Sequence, residues 1–244
     1  MTQTPTANQI RDCVLSRLRR VGLQDPIDQL LRRSGESIPA FVVGGFVRDC
    51  VHALTDGSSA SSKDADIVVV TTRLHEVFSR VAGRREVTAL GGYRWRPSQA
   101  SMSIDVWQMQ DTVWISHLQL APTIDNFLAG VDLNVNRIAL GLPDGTVRDG
   151  GCLEAIASRV IDLDAAVAVE QLRPAELARA VIAHLKTGYL LSKRVLAMLH
   201  TQRNAVLSPT VLERLRGDGH PEETIRKLES FFQTPHRGAG TVLV

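Results

Sequence analysis

Two stretches decide how the rest of the chain is read: Phe41-Val42-Val43-Gly44-Gly45-Phe46-Val47-Arg48-Asp49 and, after a short loop, Lys63-Asp64-Ala65-Asp66-Ile67-Val68-Val69-Val70. The first reads as a buried strand, a glycine turn and the start of a helix; the second reads as a strand that carries two aspartates. Residues two apart on a strand point to the same face, so Asp64 and Asp66 are expected to aim at one point. Two adjacent carboxylates repel unless positive charge sits between them, and a divalent cation is the common solution. The Gly44-Gly45 turn opens a helix whose first backbone N–H groups can hold phosphate. A cation site beside a phosphate cradle points to phosphoryl or nucleotidyl transfer.

The order GGFVRD then KDADI resembles the head domain of tRNA nucleotidyltransferases and bacterial poly(A) polymerases, of the class II nucleotidyltransferase superfamily, which carries a G-G-x-V-R-D turn followed by a D-x-D strand. The resemblance runs from about residue 40 to about residue 191. It implies an α/β (α+β) nucleotidyltransferase head with a mixed central sheet, followed by a small all-helical, neck-like C-terminal region. The expected division is N-terminal helices over 1–36, the head over 37–163 and the helical region over 164–244. In the family a longer helical body follows and grips tRNA. The residues after 191 leave no room for one, so a compact stand-alone member is expected rather than a housekeeping CCA-adding enzyme.

Composition agrees with a globular protein. The 244 residues are 44% hydrophobic and 22% charged, enough for one large domain with a small appendage. A net charge of +2 gives no strong polyanion-binding field over the whole molecule. Arg11, Arg17, Arg19, Arg20, Arg32 and Arg33 crowd the N-terminus, and a solvated helix face explains them. Cys13, Cys50 and Cys152 lack paired or metal-type spacing, with Cys50 on the apolar side of a helix. The thiols and the absence of a secretory pattern or a bilayer-length apolar run lead to a cytoplasmic expectation without a membrane partner.

Apolar periodicity predicts helices over 7–21 and 26–33, the second capped by Asp25 and stopped by Gly35. A strand over 40–43 and a helix over 46–54, with Leu54 on its inner side, follow. A strand over 64–70 and a helix over 73–81 come next. Further strands are expected near 86–90 and 101–109, with Gly91-Gly92 punctuating the span between them. A hairpin of 136–142 with 146–148 turns at Pro143-Asp144-Gly145. Helices are expected over 174–191, 192–202, 210–216 and 222–232. Tyr93, Trp95, Trp107 and Trp114 read as core or sheet-face residues.

The resemblance assigns roles residue by residue. Asp64 and Asp66 correspond to the positions that hold the divalent metals, Mg²⁺ or Mn²⁺. Asp105, on a neighbouring strand with Ser103 and Trp107 on its face, is the candidate third carboxylate, metal ligand and general base. Gly44, Gly45 and Arg48, with Asp49, are expected at the phosphates of a nucleoside triphosphate. Asp132-Leu133-Asn134-Val135-Asn136 resembles the family's D-F-T-I-N stretch, which places Asp132 and Asn136 near the ribose and triphosphate. Asp149-Gly150-Gly151 reads as structural. In the neck helix Arg179 is kept, but Arg173 stands where the family has an acid and Glu176 where it has an arginine. This polarity swap makes Arg173 and Glu176 the base-selection candidates and departs from C-then-A selection. The expected reaction moves a nucleoside monophosphate from an NTP to an acceptor hydroxyl and releases pyrophosphate. An RNA 3′ end is the favoured acceptor and a protein or small molecule the alternative; a non-catalytic nucleotide-binding protein is the competing class.

Overall fold

The computed structural model describes residues 4–32, 38–57, 62–79, 81–88, 91–163 and 173–233. They fall into two compact units, one drawn from 1–131 and 135–153, the other from 132–134 and 154–244.

The first unit opens with α1 (Ala7–Arg20), fixed at its start by a capping box between Thr6 and Gln9. Next, α2 (Gln24–Arg32) starts two residues before the expected Pro26. Pro26 therefore lies inside the first turn, where its missing N–H breaks no helical bond, and Asp25 is a first-turn residue rather than the cap. Gly35 lies outside the described residues. Then come β1 (Ala40–Val43), α3 (Gly45–Asp56), β2 (Asp64–Val69), α4 (Leu74–Ser79), β3 (Arg84–Val87), β4 (Tyr93–Arg96) and β5 (Ser103–Gln108). Two short helices, α5 (Val113–Leu118) and α6 (Ile124–Ala129), precede the hairpin of β6 (Ile138–Gly141) and β7 (Val147–Asp149). The Asp149 carboxylate accepts from the N–H groups of Gly151, Cys152 and Leu153 and so caps α7 (Cys152–Ser158).

The seven strands form one sheet in the order β3-β4-β5-β2-β1-β6-β7. It is mixed, as expected: β2 and β5 run parallel and every other pair is antiparallel. Val43, Val68 and Ala139, on the Asp66 face, join Met109, Ile115, Ile124 and Leu128 in one apolar cluster. Ala40, Val42, Ala65 and Ile67 alternate with them and are buried too, so the central strands are covered on both faces. Helix α3 packs on β1, β2 and β6 through Phe46, Val47, Cys50 and Val51, and α1 packs on α3. Leu54, expected inside, is 40% exposed, because α3 has by then reached its last turn.

β4 was not expected. It is the middle strand of a meander, with Tyr93 stacked on Phe78 at 4.7 Å and Trp95 edge-on to the same ring at 5.7 Å.

The second unit contains β8 (Val160–Ile161), α8 (Arg173–Thr187), β9 (Leu190–Leu191), α9 (Lys193–Val206), α10 (Pro209–Gly217) and α11 (Glu222–Gln233). Among the described residues it is mainly helical, with the short parallel pair of β8 and β9 and an antiparallel bridge between Leu133 and Leu163. The helix expected to reach residue 191 stops at Thr187, because Gly188 takes φ +71 and donates its N–H to the His184 carbonyl at 2.8 Å. That is a left-handed cap, and it frees Leu190 and Leu191 for pairing. The helix expected to end at Gln202 continues to Val206 with non-helical angles at Gln202.

Ile10, Val14 and Leu18 of α1 are fully buried, so the N-terminal helix belongs to the core of the first unit. Leu18→Ala is expected to lower stability by about 3 kcal/mol in urea denaturation. A change near zero would make α1 a detachable appendage.

Candidate active site

β2 and β5 run side by side in parallel, with Asp64 opposite Ser103 and Asp66 opposite Asp105. Three carboxylates thus share one face of two adjacent strands. Their environments differ. Asp64 has the Lys63 ammonium at 4.0 Å. Asp105 is 5% exposed and accepts two hydrogen bonds from one guanidinium: Arg94 Nε to Oδ1 at 2.8 Å and Nη2 to Oδ2 at 2.7 Å. Arg94 is the β4 residue directly opposite Asp105 in the ladder. Asp66 makes no hydrogen bond or ion pair with any described residue. Burial first, then the charges of Asp64 and Asp105, pushes its carboxyl up from the ordinary 3.8 to about 8.

Gly44 lies beside this acid. A Cβ there would sit 3.8 Å from Asp66 Oδ2, so space alone does not require glycine; the backbone does, at φ +67 and ψ −131. The helix that follows has no side-chain cap, and its first bond runs from the Arg48 N–H to the Gly44 carbonyl. The N–H groups of Gly45, Phe46 and Val47 therefore have no helical acceptor. An uncapped helix start next to an unpartnered carboxylate is suited to a phosphate that arrives with a cation.

The residues present fit a magnesium or manganese ion in a particular way. Asp64 and Asp66 offer hard oxygen donors, and the charges of Lys63 and Arg48 do not offset the burial and the two carboxylates around Asp66. Among the described residues no group of three or more His, Cys, Asp or Glu is arranged to hold a metal. Asp105, expected as a third ligand, accepts from Arg94 at both oxygens, while Asp64 and Asp66 lie on the same face as a pair. Mg²⁺ usually keeps several waters and binds through one or two carboxylates plus substrate phosphates, which a pair satisfies.

Arg48 is paired with a carboxylate and an amide. It is 7% exposed; its Nε and Nη2 donate to Asp49 Oδ1 at 2.8 and 2.6 Å, and its Nη1 donates to Asn136 Oδ1 at 2.6 Å. Ser62 Oγ donates to Asp49 Oδ2 at 2.6 Å and contacts the Gly45 carbonyl at 3.2 Å. Arg48, Asp49 and Asn136 thus form one hydrogen-bonded network that Ser62 ties to the Gly45 carbonyl. Ser62 escaped the sequence reading because its role is set by contacts across the loop that joins α3 to β2.

Asp132, Arg173, Glu176 and Arg179 belong to the second unit. Arg179 Nη2 lies 2.6 Å from Asp132 Oδ2. Arg173 and Glu176 are 7% and 5% exposed and pair with each other at 3.4 Å, one turn apart on α8. Burial, then Asp132, raises the Glu176 carboxyl above its ordinary range, against the pull of Arg173, Arg179 and Arg214. The swapped residues thus lie against each other in a buried setting. Asn134, where the family has threonine, accepts from the Asp162 N–H at 2.9 Å and donates to the Val160 carbonyl at 3.0 Å, joining 132–134 to the 160–163 segment.

Arg94 was missed. Its signal is the alternation Tyr93-Arg94-Trp95-Arg96, aromatic and basic by turns, which is a strand pattern too short to stand out beside Gly91-Gly92.

Two outcomes follow from these contacts. Between 3.8 and about 8 the folded protein holds a proton on Asp66 that the unfolded chain has released. Metal-free stability is therefore expected to fall as pH rises across that window and to level off above it. Urea midpoints in EDTA along a pH series check this, and Asp66→Asn should flatten the slope. Arg48→Ala leaves Asp49 buried without its partner and should destabilise the protein by about 3 kcal/mol in the same assay. A surface-like loss near zero would return Arg48 to the solvent side of the site.

No protein-family model and no curated protein sequence matches this chain. Solved structures do. A Thermotoga maritima CCA-adding enzyme complexed with tRNA superposes with a TM-score of 0.62 at 19% identity, over 92% of this chain and 54% of that one. A CCA-adding enzyme in complex with CTP gives 0.63 at 18% identity, over 92% and 55%. One in complex with ATP gives 0.57 at 19% identity, over 87% and 51%. The chain spans about half the length of these structures. Its mixed sheet and helices therefore have the fold seen in about half of a CCA-adding enzyme, the nucleotidyltransferase-head fold that the glycine turn and paired aspartates led one to expect.

Proposed function

We propose that this chain is a metal-dependent nucleotidyltransferase that moves a nucleoside monophosphate from an NTP to an acceptor hydroxyl, an RNA 3′ end being the favoured acceptor. One observation carries the reading: the unpartnered Asp66, paired on its strand face with Asp64, stands beside the uncapped helix start at Gly44-Gly45. The fold shared with enzymes solved with tRNA, CTP and ATP supports it.

Asp64 and Asp66 would hold Mg²⁺ or Mn²⁺. When bound, the metal supplies Lewis-acid polarisation of the α-phosphate and charge for the pyrophosphate leaving group. The N–H groups of Gly45, Phe46 and Val47 offer donors to triphosphate oxygens. Arg48, Asp49 and Asn136 keep that turn in one geometry, so that the cradle needs little reorganisation when phosphate arrives. In the transfer the acceptor oxygen forms the new bond to the α-phosphorus, the bond to pyrophosphate breaks, and the hydroxyl proton leaves to a site carboxylate or to water. No side-chain nucleophile is required; positioning and charge do the catalysis.

A second reading, nucleotide binding without transfer, draws on the self-paired state of Arg48 with Asp49 and of Arg173 with Glu176. One assay separates the two. Purified protein receives each α-labelled NTP with Mg²⁺ or Mn²⁺, total RNA and a cell extract, beside the Asp64→Ala/Asp66→Ala variant. Label is expected to enter RNA with the intact protein and to fall at least about a thousandfold in the variant. Entry into protein or a small molecule would change the acceptor. Metal-dependent nucleotide binding with no transfer to anything would establish the second reading.

A further inference from the structure

The Arg94–Asp105 pair has no role in the transfer just described, and its geometry is too specific for an incidental surface ion pair. The two residues are directly opposed in the β4–β5 ladder, and both guanidinium contacts are at hydrogen-bond distance. Asp105 is almost fully buried, whereas Arg94 is one-third exposed at its side chain. A planar fork on a buried carboxylate is the arrangement in which arginine and lysine are not interchangeable. Asp105 also lies directly across from Asp66. Without Arg94, β2 and β5 would present three carboxylates on one face without the guanidinium fork that now holds Asp105. Such a set of oxygens is a ready divalent-cation site in the absence of substrate.

We propose that Arg94 is a positioning residue that withholds Asp105 from the metal, so that Asp64 and Asp66 alone form a deliberately incomplete site. The inference rests on the proposed metal role of Asp64 and Asp66. The missing oxygens then come from nucleotide phosphates, and a cation is held firmly only when it arrives with its triphosphate. Arg94 serves at the same time as the fixed counter-charge that lets the carboxylates fold side by side. The arrangement makes metal occupancy depend on substrate, through a side chain that touches neither.

The test uses Mn²⁺ alone as probe, without nucleotide, and follows free Mn²⁺ by electron paramagnetic resonance. Arg94→Gln is expected to bind Mn²⁺ at least about tenfold more tightly than the unaltered protein, because a third carboxylate joins the site. Adding Asp105→Asn to Arg94→Gln should cancel the gain, and so should adding Asp64→Asn/Asp66→Asn. Asp105→Asn by itself should leave Mn²⁺ affinity within about twofold of the starting value. Arg94→Lys, which keeps the charge but loses the fork, should fall between and guards against a misfolded glutamine variant. The inference is overturned if Arg94→Gln binds like the unaltered protein, if its gain survives Asp105→Asn, or if Asp105→Asn alone weakens binding as much as Asp64→Asn does. Failure of the underlying reading looks different: label transfer would then proceed unchanged in the Asp64→Ala/Asp66→Ala variant, whatever the Mn²⁺ titrations give.

Discussion

Three aspartates, Asp64, Asp66 and Asp105, share one face of two adjacent parallel strands, and their mutual repulsion is the constraint around which the first unit is organised. Each is answered differently. Asp64 has a lysine nearby, Asp105 has a guanidinium fork, and Asp66 has no partner among the described residues. Burial and two neighbouring negative charges keep the Asp66 carboxyl far from its ordinary range. Such a cost is the kind that a bound cation would remove, which is why the proposed metal role falls on this residue. The position of strand β4 follows from the same constraint: it brings Arg94 across from Asp105 and divides a would-be three-carboxylate site into a pair and a neutralised member.

The glycine turn completes this arrangement from the other side. Gly44 occupies a backbone conformation that a side chain would strain, and that conformation directs the start of α3 past Asp66. Beneath it the buried network of Arg48, Asp49, Asn136 and Ser62 joins three separate segments: the helix, the loop before β2 and the turn before β6. Buried charges stabilise only when fully hydrogen-bonded, and these are bonded on every side that the contacts reveal. The Arg48-Asp49 pair after the glycines therefore has a structural role in this network. The second unit uses its charges in the same inward manner, with Arg173 on Glu176 and Arg179 on Asp132.

Much of this was legible in the residues. Strand β1, the helix after the glycines, the aspartate strand and the β6–β7 hairpin lie where alternation, apolar runs and turn residues put them, because each is specified by local backbone chemistry. What was not legible has a common cause. β4 is four residues long, and its partners Phe78 and Asp105 are distant in sequence. Helix α8 ends early because one glycine adopts a left-handed angle, a choice that the surrounding letters allow but do not force. That Arg48 also reaches Asn136, 88 residues on, is set by packing and not by the local letters.

By itself, then, the sequence determined β1, α3, β2 and the β6–β7 hairpin, the mixed head fold and the pairing of Asp64 with Asp66 on one face, since strand periodicity and glycine conformation are local properties. Only the tertiary structure decided which charges are available. Asp105 accepts from Arg94, Arg48 donates to Asn136, and Arg173 lies against Glu176, contacts that the letters alone did not give. The physical reason is that desolvation and pairing depend on three-dimensional neighbours: a carboxylate next to a guanidinium fork and one next to nothing are the same letter, and only packing separates them.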